Sequence, residues 1–172
     1  VDKDQTGWRA ICETFKGTAI ETLVLSDIGA GPVALSTLAD AITDMAAIRG
    51  LNLANNDAIT GKRSRDNDGE APWIYGEEME GFTKLCQLMS SSPIEELNVS
   101  GCGITPTSLF TLAKFISDSA AIDSITLDGN PITGASWNEH LYGYEKGDTQ
   151  MDGFVALCDA MKSSKVAKLS LA

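Results

Sequence analysis

The stretch that decides the fold runs from Ile94 to Ala121, IEELNVSGCGITPTSLFTLAKFISDSAA. Ile20–Ala47, IETLVLSDIGAGPVALSTLADAITDMAA, aligns with it without a gap, 74 residues upstream. The first half alternates, with apolar residues at Ile94, Leu97, Val99 and Ile104 and with Cys102 between the last two. That pattern suits a short strand with one buried face. The second half changes period: Leu109, Leu112, Ala113 and Ile116 stand at i, i+3, i+4 and i+7, which is one stripe of a helix. Pro32 and Pro106 fall where these helices begin, the place at which a missing N–H costs least.

Outward from this stretch the same double pattern recurs. Related segments open at Ile20, Ile48, Ile94, Ile122 and Val166, at spacings of 28, 46, 28 and 44 residues. The segment at Ile48 carries Leu51, Leu53 and Asn56, then Ile59 with one extra residue; the segment at Ile122 carries Ile125, Leu127, Asn130 and Ile132. The helical stripe returns at Leu35, Leu38, Ala39 and Ile42, and at Phe82, Leu85, Cys86 and Met89. It returns again at Phe154, Leu157, Cys158 and Met161, and at the start of the chain at Trp8, Ile11, Cys12 and Phe15. The i+4 residue is always Ala or Cys, so space is short where helix meets strand. A period near 28 with strand and helix halves implies stacked layers.

The spacing L-x-x-L-x-L-x-x-N/C-x-L, carried by the segments quoted, resembles the leucine-rich repeat family over essentially the whole chain. Its repeat length and full helix resemble the ribonuclease-inhibitor-like subclass. The resemblance implies an α/β solenoid, a horseshoe arc with a parallel β-sheet on the concave face and helices on the convex face. The Asn or Cys after each strand can satisfy loop backbone groups, Asn better because it both donates and accepts. The repeat at Ile20 has Ile28 there, so its turn is expected to be held through Asp27. Residues 1–172 read as a single domain. It starts with a helix lacking its strand and stops at a strand lacking its helix, and neither end reads as a polar cap. The expectation is a fragment of a longer array, or ends covered by another chain.

Two of the repeats are lengthened, at about 62–80 and 135–152. The insertions read GKRSRDNDGEAPWIYGEEMEG from Gly61 and GASWNEHLYGYEKGDTQMDG from Gly134. Both hold a Trp, a Tyr-Gly pair and an acidic approach to the next helix, which suits the positive end of its dipole. They are expected to project as two neighbouring flaps. Trp73, Tyr75, Trp137, Tyr142 and Tyr144 are five of the chain's eleven aromatic residues. Two roles are open to them: anchoring a partner, or packing the flaps on each other and on the rim of the core. The outward strand positions include Thr22, Val24, Asn52, Asn98, Ser100, Thr126, Asp128, Lys168 and Ser170, small and mostly polar.

Thirteen Lys+Arg face 24 Asp+Glu, a formal charge of −11. That balance disfavours nucleic acid and anionic membranes, and favours solubility or a basic protein partner. No apolar run approaches the roughly 18–20 residues that span a bilayer. Cys12, Cys86 and Cys158 share one repeat position and read as small buried thiols of a reducing, cytoplasmic protein rather than a disulfide framework.

Catalytic and metal signatures do not survive the same reading. His140 is the only histidine, so one chain cannot supply a two-histidine metal site. A calcium loop around Asp66–Glu70 would need Glu where Tyr75 stands and would start at Ser64. Gly29-Ala30-Gly31 lacks the phosphate-loop Lys, and the sequon at Asn98 falls within an expected strand. The function expected is a non-catalytic protein–protein interaction module without cofactor or metal. It would present a polar concave strip (Asn52, Asn98, Thr126, Asp128) and the aromatic flaps to a protein partner. A regulator of an enzyme, such as a GTPase-activating protein, or a receptor ectodomain are the alternatives.

Overall fold

The computed structural model describes residues 4–56, 59–63, 73–134, 136–138, 143–145 and 149–172. The Leu-centred segments form strands β1 (Thr22–Val24), β2 (Gly50–Asn52), β5 (Glu96–Asn98), β6 (Ser124–Thr126) and β9 (Lys168–Ser170). These pair, all parallel, as one five-stranded sheet in the order β1-β2-β5-β6-β9. The register puts Leu23, Leu51, Leu97, Ile125 and Leu169 in one row across the sheet. The first four of that row are buried, while Thr22, Val24 and Glu96 are exposed on the other face.

Helices α1 (Thr6–Phe15), α2 (Pro32–Ile42), α3 (Glu80–Met89), α4 (Pro106–Ile116) and α5 (Asp152–Ser163) pack in sequence order against one another. The stripes of α2, α3 and α4 are buried throughout and meet the leucine row in one hydrophobic core. The two end helices depart from the sequence reading. Ile11 in α1 is 49% exposed although Cys12 is buried, and Cys158 in α5 is exposed although Leu157 is buried. The i+3 position thus faces the preceding layer and the i+4 position the following one. Each end helix shows the face that no described layer covers, so Cys158 is a surface thiol and not a buried one.

The turns after the strands share a device. Asp27, Asn55, Gly101 and Gly129, each three residues beyond its strand, all take left-handed backbone, with φ between 55° and 65°. One residue later the layers differ. The N–H groups of Ile28 and Ala30 donate to Asn56 Oδ1 at 3.2 and 3.0 Å, and Asn56 Nδ2 donates to the carbonyls of Leu25 and Leu53 at 2.8 Å. Asn130 repeats this on the next pair of layers. It accepts from Cys102 and Ile104 N–H and donates to the carbonyls of Val99 and Leu127. Cys102 Sγ reaches back to the Leu53 carbonyl at 3.1 Å. The turn at Ile28 is therefore held by Asn56 of the next layer, not by the Asp27 side chain as its sequence suggests. No described strand lies beyond β1, so position 28 has no carbonyl behind it to reach.

Helix packing alternates too. Gly81 and Gly153, the second residues of α3 and α5, sit against the first turns of α2 and α4. A Cβ built on them would lie 2.0 Å from the Pro32 carbonyl oxygen and 2.1 Å from that of Pro106. Backbone contacts of the Cα–H···O kind require such an approach. Lys84 of α3 adds an ion pair to Asp40 of α2 at 2.6 Å.

Candidate functional site

The open face of the sheet is a continuous surface set by the strand register. Val24, Asn52, Asn98, Thr126 and Ser170 form one row across it, and Thr22, Gly50, Glu96, Ser124 and Lys168 the next. From β1 to β6 the two rows line a shallow depression of about 240 Å3, which the β9 residues Lys168 and Ser170 do not reach. Gly50 contributes no side chain, which lowers the floor beside Thr22. Asn52 and Asn98 are half-buried neighbours with fixed side chains. Asn52 Oδ1 accepts from Ala54 N–H at 3.0 Å, and Asn98 Oδ1 from Ser100 N–H at 3.0 Å and from its hydroxyl at 2.7 Å. With each oxygen engaged two residues ahead, each amide nitrogen remains the donor that Asn52 and Asn98 can offer a ligand. Asp128 lies just beyond the strands, its carboxylate accepting from Ala172 N–H at 2.9 Å. Of the nominated strip residues, the register therefore brings together Asn52, Asn98 and Thr126, with Asp128 flanking them. Glu96 and Ser124 belong to the same depression, although the repeat motif alone does not single them out. Their signal is the strand period: each stands two residues before a nominated position.

Each insertion contains an antiparallel strand pair. β3 (Gly61–Arg63) pairs with β4 (Trp73–Tyr75), and β7 (Ser136–Asn138) with β8 (Gly143–Glu145). By register Trp73 stands opposite Arg63, Tyr75 opposite Gly61, and Trp137 opposite Tyr144. Tyr142, His140 and Ser64 lie outside the described residues. Backbone bonds at the base close both insertions: Gly76 N–H donates to the Thr60 carbonyl at 2.7 Å, and Gln150 N–H to the Thr133 carbonyl at 3.3 Å.

Two further grooves lie at the paired helix starts. One, of about 520 Å3, is lined by Pro32, Val33, Ser36, Met79, Gly81 and the acidic run Glu77, Glu78 and Glu80. The other, of about 440 Å3, holds Pro106, Thr107, Gln150, Asp152, Gly153 and the exposed ring of Phe110. They are repeat equivalents, and they exist because the glycines draw the helix starts together.

The chemistry of the described groups is quiet. Burial and then the Glu13 charge push the Cys12 thiol up to about 11, and burial raises Cys86 as well. A thiol held protonated is a poor nucleophile. Among the described residues no three His, Cys, Asp or Glu side chains group so as to hold a metal, and no helix is long and apolar enough to cross a membrane.

Among solved structures, the tropomodulin C-terminal domain of Caenorhabditis elegans superposes on the chain. Its TM-score is 0.63 at 14% identity, and the match covers 98% of this chain and 83% of that one. The fold is leucine-rich repeat-like. No family model matches the sequence. No curated protein matches it either.

Proposed function

We propose that the chain is a non-catalytic protein-binding module of the ribonuclease-inhibitor-like class. Its open sheet face would be the concave strip of an arc, and its two insertions would flank a bound protein. The observation that carries this reading is the row Val24–Asn52–Asn98–Thr126, whose three polar members bring amide and hydroxyl groups to a depression lined by sheet residues alone. A donor-rich, shallow, hydratable surface suits the backbone carbonyls and side chains of a protein better than a small molecule, which favours deep apolar enclosure. The likeness to a tropomodulin domain agrees in fold. The acidic balance of 24 Asp+Glu against 13 Lys+Arg favours a basic partner surface. Trp73, Tyr75, Trp137, Tyr142 and Tyr144 would serve as anchors beside the strip.

A photo-crosslinking residue at Thr126 tests the strip against one at Asp118 on the helical side. Partner adducts should form from position 126 and fall when Asn52→Lys and Asn98→Lys are added. Adducts mainly from position 118 would overturn the reading. Trp73→Ala with Trp137→Ala should weaken binding while circular dichroism stays unchanged; loss of the fold would assign those rings to packing.

A further inference from the structure

We propose that the open sheet face takes an arginine side chain of its protein partner, laid over Gly50 with the guanidinium on Glu96. The proposal rests on the open-face reading above and names the group that the face recognises. In the row Thr22, Gly50, Glu96, Ser124 and Lys168, only Gly50 has no side chain. Glycine weakens a strand interior and often marks the place where a ligand approaches the backbone. Thr22 walls the gap on one side, its Oγ1 and Cγ2 each 3.2 Å from where a Gly50 Cβ would stand. Glu96, on the next strand, walls the other. Thr22 and Glu96 are thus two strand spacings apart, roughly 10 Å, which leaves room for one aliphatic stem between them.

Charge selects the occupant. Glu96 is the only charged residue that lines the depression, and it is exposed. The basic residues at this edge of the sheet are already engaged. Arg49 Nε lies 3.5 Å from Glu95 Oε1, and Arg49 Nη1 donates to the Ala46 and Ile48 carbonyls at 3.2 and 2.9 Å. Lys168 Nζ stands 3.9 Å from Asp123 Oδ2. Glu95 and Asp123 therefore each have a counter-ion, whereas the Glu96 carboxylate has none among the described residues. Arginine suits the gap better than lysine. Its planar, weakly hydrated head meets a carboxylate through two N–H groups while its stem lies along the surface. Beside the gap, the amide nitrogens of Asn52 and Asn98 are the donors for backbone carbonyls on either side of that arginine. A cation without a main chain would leave those donors unused, so a protein segment is the occupant that the face matches.

The probe is the capped peptide acetyl-Gly-Gly-Arg-Gly-Gly-amide, titrated to roughly millimolar concentration into the full isotope-labelled chain and followed by NMR. Its citrulline analogue, equal in shape and uncharged, is the control. Saturable shifts should appear at the Gly50 backbone amide and at the Asn52 and Asn98 side-chain amides. The citrulline peptide and Glu96→Gln should each weaken binding about threefold to fivefold, the scale of a solvent-exposed ion pair. Gly50→Val, which fills the gap, should abolish the shifts. Glu95→Gln should leave them unchanged, because that carboxylate lies outside the depression and already has Arg49. Absence of saturable shifts on the face overturns the inference. So does equal affinity for the citrulline peptide or in Glu96→Gln, or a loss of the same size from Glu95→Gln. Each of these results leaves the open face itself to the photo-crosslink at Thr126, so the two readings fail separately.

Discussion

Gly81 lies so close to Pro32 that a Cβ on the glycine would stand 2.0 Å from the proline's carbonyl oxygen. No side-chain rotation relieves that clash, because both groups belong to backbone. Gly81→Ala should therefore force α3 away from α2 and cost about 1–3 kcal/mol, the usual range for overpacking. Gly153→Ala should behave alike against Pro106. Gly7→Ala should leave stability unchanged or raise it by up to about 1 kcal/mol through helix propensity. Urea midpoints of the three variants check this, and equal effects at all three sites would refute the close approach.

The two bridging asparagines should dominate the polar contribution to the fold. Removing the fully buried Asn56 amide strands the N–H groups of Ile28 and Ala30 and the carbonyl of Leu25, and leaves the Leu53 carbonyl only the Cys102 thiol. Asn56→Ala should cost about 2–5 kcal/mol, several unsatisfied groups at once. Asn52→Ala removes one backbone bond from a half-buried side chain and should cost about 1 kcal/mol or less. Chemical denaturation of the pair gives the comparison, and a similar cost for both would contradict the bridging role.

Thiol reactivity should separate the four cysteines. Native protein should react quickly at Cys158 alone, while Cys12, Cys86 and Cys102 label only as the chain unfolds. Cys12 adds a pH dependence. Its thiol is raised from 9.0 to about 11, so the folded form holds the proton longer than the unfolded one. The associated stability is fully present below pH 9 and is lost as pH rises from 9 toward 11. Melting temperature should fall over that window, and Cys12→Ala should flatten the fall. An equally steep decline in the variant would assign it to other groups.

The Lys84–Asp40 pair spans the same two helices as Gly81 and Pro32, yet its side chains are 39% and 65% exposed. Lys84→Met should shift stability by less than about 1 kcal/mol and should lose its effect in high salt. A larger, salt-independent loss would mean that the lysine stem, not the charge, matters.

The strand-and-helix alternation is legible in the sequence because each layer repeats the same burial pattern: Leu51, Leu97 and Ile125 are read correctly from their spacing alone. Burial at the ends is not legible that way. Ile11 and Cys158 obey the stripe, but whether a stripe position is covered depends on which neighbouring layer exists, a fact outside the local period. The role of Asp27 misleads for a similar reason, since the bond that holds its turn comes from Asn56, 29 residues later. The helix-pair contacts have a sequence signal in Gly7-Trp8, Gly81-Phe82 and Gly153-Phe154, though its meaning appears only once the prolines of the preceding helices are placed beside them. The open-face row follows from strand alternation. The aromatic insertions remain legible only as composition plus the register that sets Trp137 opposite Tyr144.

The fit of glycine beneath proline makes the molecule countable in twos. A recombination event that inserted or deleted one unit would abut two proline-opened helices, or two glycine-bearing ones, and spoil a close-fitting seam. Growth or shrinkage of this architecture is thus expected in doublets of about 74 residues, the distance from Pro32 to Pro106. Engineers who wish to lengthen it have their cutting points marked by those two prolines.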